Sequence, residues 1–136
     1  MVGGAEAVLQ KTRDYAAERI QFGRPIGSFQ AVKYPIVDMM VGVELARSLA
    51  LGAAVALDRD PERAPTSARM AKAFASDVYA SAVRKSVQLH GGFGFTIDCD
   101  VHFYFKRALF SRALLGDATH HRRHLADALL GRVSAG

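Results

Sequence analysis

The sequence predicts an all-α fold, an antiparallel bundle of four to five helices. Three observations carry this expectation. Apolar residues recur at three- and four-residue intervals through most of the 136 residues, as in helices with one buried face. No stretch alternates apolar and polar residues as a half-buried strand does. Ala, Leu, Arg and Lys, all strong helix formers, are abundant, while Gly and Pro gather mainly in short runs that read as connections. The length fits a single domain, residues 1–136, large enough to close a core without disulfides or metal.

Residues 5–21 read as the first helix, with Ala5, Val8, Leu9, Thr12, Tyr15, Ala16, Arg19 and Ile20 near one face. Gly3 and Gly4 make a poor start, as though the helix were cut from a longer protein. Two glycines and a proline break the chain over residues 22–28, and Ser28 is the expected N-cap of the next helix. That helix, residues 29–58, carries a stripe of Phe29, Val32, Ile36, Met40 and Val43, continued by Ala50, Ala54 and Leu57. Val37, Val41 and Leu45 are expected to widen its buried face. Pro35 should kink it or delay its regular start to about Tyr34. A charged run over residues 58–65 ends it. Thr66 or Ser67 is the expected cap of a third helix, residues 68–90, whose core stripe is Ala71, Phe74, Ala75, Val78, Ala82 and Leu89, with Tyr79, Val83 and Val87 alongside. A polar link over residues 96–100 leads to a fourth helix, residues 101–115. Gly116 interrupts, and Asp117 or Thr119 starts a last helix with Leu125, Ala128, Leu129 and Leu130 as its apolar residues.

The net charge of +5 suits anionic partners such as nucleotides or coenzyme A phosphates. Basic residues are dispersed, with short pairs such as Lys106-Arg107 and Arg122-Arg123 and no basic tail, so no nucleic-acid partner is expected. The most apolar stretch, residues 45–57, holds Arg47 and Ser48 and is shorter than the roughly 20 residues of a membrane span, so it reads as a buried helix with no membrane role. The single cysteine, Cys99, can form no internal disulfide, which points to a reducing cytoplasm. His121 and His124 are three apart beside His120, but no cysteine or further carboxylate joins them, so no metal is expected.

Residues 88–95 read Q-L-H-G-G-F-G-F. Two readings stay open. Gly91 and Gly92 can cap the helix that ends near His90, or the unshielded backbone N–H groups can cradle a diphosphate.

A second stretch bears on that choice. Residues 19–26 read R-I-Q-F-G-R-P-I, followed by F-Q-A-V at 29–32, D-M at 38–39 and E-L-A-R at 44–47. This resembles the acyl-CoA dehydrogenase C-terminal domain pattern R-x-Q-F-G-x-P-[IL]-x-x-F-Q-x-[VI] followed by D-M. Residues 88–95 are similar to the same family's Q-x-x-G-G-x-G-[YF]. The resemblance covers nearly the whole chain. It implies a flavoenzyme that uses FAD to oxidise acyl-CoA to 2,3-enoyl-CoA. By the same resemblance Arg19, Gln21 and Phe22 contact FAD, with Ile26 and Gln30 flanking. Gln88 and Gly92 contact the ADP part of FAD from a neighbouring subunit. A homo- or hetero-oligomer sharing FAD is implied. The family's N-terminal helical and middle β-domains are absent from these residues.

The family's catalytic base is missing from its usual place. Many members hold a Glu in a Y-E-G-T stretch after the fourth helix, and counting from Ala108 puts Leu115 there. Asp117 is the nearest carboxylate and reads as a helix cap. Other branches hold the base in the helix before R-x-Q-F-G, upstream of residue 1. The common Y-R-D-A run is Phe105-Lys106-Arg107-Ala108 here, which reverses a charge. Two readings follow: the C-terminal domain of a dehydrogenase whose base lies upstream, or a non-catalytic assembly subunit or fragment that stabilises FAD in a partner chain. On either, the 136-residue chain alone is expected to lack dehydrogenase activity.

Overall fold

A computed structural model of the chain describes residues 1–131. The chain turns where glycine and proline cluster. Five helices result: α1 (Val2–Glu18), α2 (Gln30–Arg59), α3 (Ala64–His90), α4 (Val101–Ala113) and α5 (Ala118–Leu130). Helix α3 is the axis of the bundle and packs against each of the other four. The core is the shared interior of α1, α2, α3 and α4, built from Ala5, Val8, Met39, Val43, Tyr79, Ala82, Val83 and Ala108. Its many alanines let helix backbones approach closely. The same closeness explains why α1 begins at Val2 despite two glycines. A Cβ on Gly4 would lie 2.6 Å from the Tyr79 ring and hydroxyl, so only glycine leaves room for that buried side chain.

Several expectations are corrected. Helix α1 ends at Glu18, because the chain then enters a two-stranded antiparallel hairpin, β1 (Ile20–Gln21) and β2 (Arg24–Pro25). Two residues per strand are too few for alternation to show in sequence. Ser28 lies in a single 3₁₀ turn, Ile26–Ser28, and does not cap α2; Phe29 takes the N-cap position and the Ser28 hydroxyl is buried without a partner. Helix α2 starts at Gln30, before Pro35, because a proline this near the N-terminus forfeits one intrahelical bond only. Helix α3 starts at Ala64 with Pro65 in its first turn, where a missing N–H is harmless, so Thr66 and Ser67 lie inside the helix. Helix α4 ends at Ala113, two residues early.

The largest correction concerns α2. Its core-facing residues are Met39, Val43, Ala46, Ala53 and Ala56. Val37, Met40, Val41, Leu45 and Leu57 are exposed instead, with Leu51 and Val55. The helix has two apolar faces, and the sequence pattern did not say which one meets the bundle. By length and composition it is also the one described helix able to cross a membrane, yet one of its faces is seated in the core. Leu129 and Leu130 of α5 are exposed as well.

The Gly4 contact yields a paired prediction. Gly4→Ala is expected to destabilise the fold by about 1–3 kcal/mol through overpacking against Tyr79. Gly3→Ala, where an added Cβ meets nothing within 4 Å, is expected to be neutral or stabilising by up to about 1 kcal/mol. Urea denaturation of the two variants checks the difference, and equal midpoints would contradict it.

Candidate functional site

The site forms where α1 and α3 end side by side. Helix α1 stops as Arg19 turns extended, its N–H still donating to the Tyr15 carbonyl at 2.8 Å. The β1–β2 hairpin pairs Ile20 with Pro25 and Gln21 with Arg24. Its two turn residues, Phe22 and Gly23, have φ of 51° and 77°. Two left-handed residues in a row match the twist of a two-residue hairpin, which is natural for Gly23 and strained for Phe22. The Ile26 N–H donates to the Arg19 carbonyl at 2.8 Å and closes the loop. The Arg24 guanidinium lies 4.1 Å above the Phe29 ring, and Phe22 meets that ring edge-on at 6.0 Å.

Across the cleft, Gly91 ends α3 with φ 61° and ψ −141°, so the capping reading of this glycine holds. The following 3₁₀ turn, Gly91–Phe95, folds back onto the helix. A Cβ on Gly94 would stand 2.7 Å from the Val87 carbonyl oxygen, so this glycine is required by contact. Gly91 and Gly92 are the opposite case: nothing lies within 4 Å of where their Cβ atoms would be. Their backbone faces open space that a ligand can approach.

Between these ends lies a cleft of about 630 Å³. It brings together Arg19, Gln21, Ile26, Gln88 and Gly92, five of the seven residues singled out from sequence. Both motifs therefore face one space. Phe22 and Gln30 do not line it: Phe22 stands 91 % exposed at the hairpin tip, and Gln30 is exposed at the start of α2. No carboxylate lines the cleft, which carries a guanidinium, two side-chain amides and bare backbone.

Sequence reasoning missed the aromatic wall. Tyr15 stacks on His90 with ring centroids 4.3 Å apart, and Phe93 continues the stack at 5.9 Å from Tyr15. The available signal was Tyr15 standing four residues before Arg19, one helical turn away on the same face. His90 is buried. A carbonyl can only accept, so Nδ1–H donates to the Ser86 carbonyl oxygen at 2.8 Å and Nε2 is left as an acceptor. Burial holds its pKa below the usual imidazole value, and the Lys11 charge adds to this, against the opposing Ser86 bond. Behind it, the Ser86 and Thr12 hydroxyls share a buried hydrogen bond of 2.7 Å, and Thr12 also bonds the Val8 carbonyl at 2.7 Å.

A second feature governs the turn after α4. Lys72 reaches from α3 and its ammonium donates to the carbonyls of Ser111 and Arg112 at 3.1 Å and of Gly116 at 3.0 Å. It thus caps the C-terminus of α4 with a positive charge. Leu115 sits in this turn with φ 59° and is 83 % exposed. Asp117 is the N-cap of α5 and accepts from the His120 N–H at 2.7 Å. That bond holds its carboxyl below the usual carboxylate range. Among the described residues no group of His, Cys, Asp and Glu is arranged to hold a metal ion.

An open cleft lined by a guanidinium and bare glycine backbone offers donors to an anion; α1 and α3 reach it by their C-termini, so their dipoles add nothing to that attraction. The chain belongs to the acyl-CoA dehydrogenase C-terminal domain family, whose model matches residues 1–130. It is 45 % identical over 114 residues to the acyl-CoA dehydrogenase IpdE2 of Mycobacterium tuberculosis, covering 84 % of this chain and 34 % of that protein. Among solved structures, the FAD complex of PigA matches with a TM-score of 0.91 at 27 % identity, covering 97 % of this chain and 34 % of that one. The ChsE4–ChsE5 complex of Mycobacterium tuberculosis matches with a TM-score of 0.89 at 34 % identity, covering 98 % and 36 %. The chain spans about a third of the length of these relatives.

His90 gives this site a pH dependence. Its folded pKa lies below its unfolded value of about 6.5, so the unfolded chain binds more protons as pH falls through that value. The stability it contributes is present above about pH 6.5 and is lost as pH falls toward the folded pKa. Lys11, Asp14, Glu18, Asp98 and Asp100 surround the adjoining surface, and Lys11 is tied to Asp100 at 2.8 Å. His121 shifts in the same direction. A His90→Asn variant should therefore show a shallower fall in urea midpoint from pH 7.5 to 5.0, measured against the parent; parallel curves would exclude His90 as a contributor.

Proposed function

We propose that this chain is the flavin-binding and assembly domain of an acyl-CoA dehydrogenase that oxidises acyl-CoA to 2,3-enoyl-CoA with FAD. The observation that carries the reading is the convergence of Arg19, Gln21, Gln88 and Gly92, from two distant stretches of sequence, on one carboxylate-free cleft. These residues fit a dinucleotide. Arg19 supplies a fixed fork of donors for a diphosphate. The Gly91 and Gly92 backbone lies open, with no side chain to block approach. Gln21 and Gln88 offer amides that both donate and accept, suited to ribose hydroxyls or ring nitrogens. Ile26 and the Tyr15–His90–Phe93 stack provide apolar walls. When bound, the flavin supplies the hydride acceptor for the reaction. This chain's residues bind and orient it.

Removal of the substrate's α-proton is not assigned to these residues. Leu115 has no proton acceptor, and the Asp117 carboxylate is engaged in capping α5. These two observations also favour a second reading, an assembly subunit that stabilises FAD in a partner chain, and the likeness to a two-protein complex supports it. Either form shares FAD across subunits of a homo- or hetero-oligomer. With one buried cysteine, a reducing cytoplasm is the proposed location.

Titration of FAD against the chain, with light scattering to report mass, tests the proposal. Weak, saturable binding that is reduced at least about tenfold in Arg19→Ala is expected, a loss of about 1.4 kcal/mol. Binding unaffected by Arg19→Ala would remove the cleft from the flavin site. With an acyl-CoA and an artificial electron acceptor the isolated chain is expected to be inactive, and turnover would show that a base is present after all.

A further inference from the structure

We propose that the turn after α4 is held shut by a proton-sensitive catch: the His121 ring is seated against it only while uncharged, and its release in acid lets the turn open. The proposal goes beyond the flavin reading and does not depend on it.

The turn has reason to open. Leu115 stands at φ 59°, a conformation that a residue with a large side chain resists, and Gly116 follows at φ 95°. The Leu115 side chain is exposed, so no burial offsets that strain. Two side chains hold the segment by its carbonyls. Lys72 of α3 donates to the oxygens of Ser111, Arg112 and Gly116. His121 of α5 takes the Leu115 oxygen. A carbonyl can only accept, so Nε2–H is the donor, across 3.0 Å. The His120 and His121 rings close over Gly116, where an added Cβ would lie 2.6 Å from His120 Cδ2 and 3.2 Å from His121 Nε2.

The other ring nitrogen makes the seat conditional. With the proton on Nε2, Nδ1 is an acceptor, and it is enclosed without a hydrogen-bond partner among the described residues. The seat therefore offers one acceptor to the ring, whereas an imidazolium has two N–H donors. A second proton would be buried unsatisfied. The surrounding charge acts in the same direction. Arg69 and Lys72 face the ring from α3, and His120 faces it from α5. The Asp117 carboxylate, with Arg112 of α4 nearby, is committed to the His120 N–H. Arg122 of α5 is tied to Asp77 of α3, and His124 packs edge-on against His120 at 4.7 Å. Burial holds the proton affinity of His121 below that of an ordinary imidazole, and His120, Lys72 and Arg69 add to this, against the Leu115 bond. A released ring is solvated and titrates near the usual value of about 6.5. The released form binds the proton more tightly, so acidification through that value favours release, and the Leu115 carbonyl loses its restraint.

Amide hydrogen exchange of the 136-residue chain, followed by NMR and corrected for the intrinsic rate at each pH, tests this. The Gly116 N–H donates to the Ala113 carbonyl at 3.3 Å and reports the closed turn. Its protection is expected to fall about threefold or more between pH 7.5 and 5.0. His121→Gln keeps an N–H donor and cannot titrate, so protection should stay level over that range. His121→Leu, with no donor, should be poorly protected at both values, and His120→Gln should fall as the parent does. The comparison of the parent with His121→Gln keeps the test open should His121→Leu fail to fold. Level protection in the parent, a fall in His121→Gln equal to the parent's, or parental protection in His121→Leu at pH 7.5 would overturn the proposal. So would level protection in His120→Gln, which would move the titration to the neighbouring ring.

Discussion

The hydrogen bond between the Thr12 and Ser86 hydroxyls sets the geometry on which the cleft depends. It joins α1 to α3 inside an interface otherwise built from small apolar side chains such as Ala5, Val8 and Ala82. Apolar contacts are non-directional, and a smooth alanine surface tolerates sliding. A buried hydroxyl pair does not, because displacement leaves polar groups unsatisfied at about 1–3 kcal/mol each. From this point each helix runs one to two turns to the cleft. Thr12 leads to Tyr15 and Arg19, and Ser86 leads to His90 and the glycine turn. The Ser86 carbonyl also fixes His90, and His90 stacks on Tyr15, so the two helix ends are tied a second time. Arg19 and Gly92 face one space because this register is held.

Strain is placed at two turns, the tip of the β1–β2 hairpin and the turn after α4. Phe22 and Leu115 are the two non-glycine residues with positive φ among the described residues, and both are almost fully exposed. Large side chains in that conformation cost of order 1 kcal/mol or more, and exposure returns no burial energy to them. Each is held by its surroundings. The hairpin pairing and the Phe29 ring, flanked by Phe22 and Arg24, hold the first. The Lys72 ammonium, bonded to three carbonyls around α4's end, holds the second. The surrounding fold thus over-determines two turns that present apolar side chains outward.

Sequence made the helix count, the connections and the two motifs legible, since these rest on local chemistry. Glycine and proline mark turns wherever they fall, and Asp117 before Ala118 caps a helix by its own reach. The illegible parts depend on partners distant in sequence. Whether Met39 or Met40 faces inward is decided by α1 and α3, and α2 is apolar on both sides. Ser28 and Thr66 have the right chemistry for caps, but the helices begin elsewhere because packing sets their ends. The Tyr15–His90–Phe93 wall left only Tyr15, one turn before Arg19, as a sequence signal, for it joins residues from two helices and a turn. Gly4 reads in sequence as a poor helix start and is instead a packing residue, a distinction that exists only once Tyr79 is in place.

The chemistry of the cleft suits holding a ligand better than transforming one. A guanidinium is always charged, amides do not titrate, and backbone N–H groups neither gain nor lose protons. His90, the one imidazole of the wall, is buried, stacked and bonded through Nδ1, which fixes its tautomer, while burial lowers its pKa and favours the neutral ring. A carboxylate in the cleft would serve a proton transfer but would repel a diphosphate, and none lines it. The lining therefore keeps the same charge whether or not a proton moves nearby. That constancy is what a cofactor-retaining surface requires, and it separates the task of gripping a dinucleotide from the task of deprotonating a substrate.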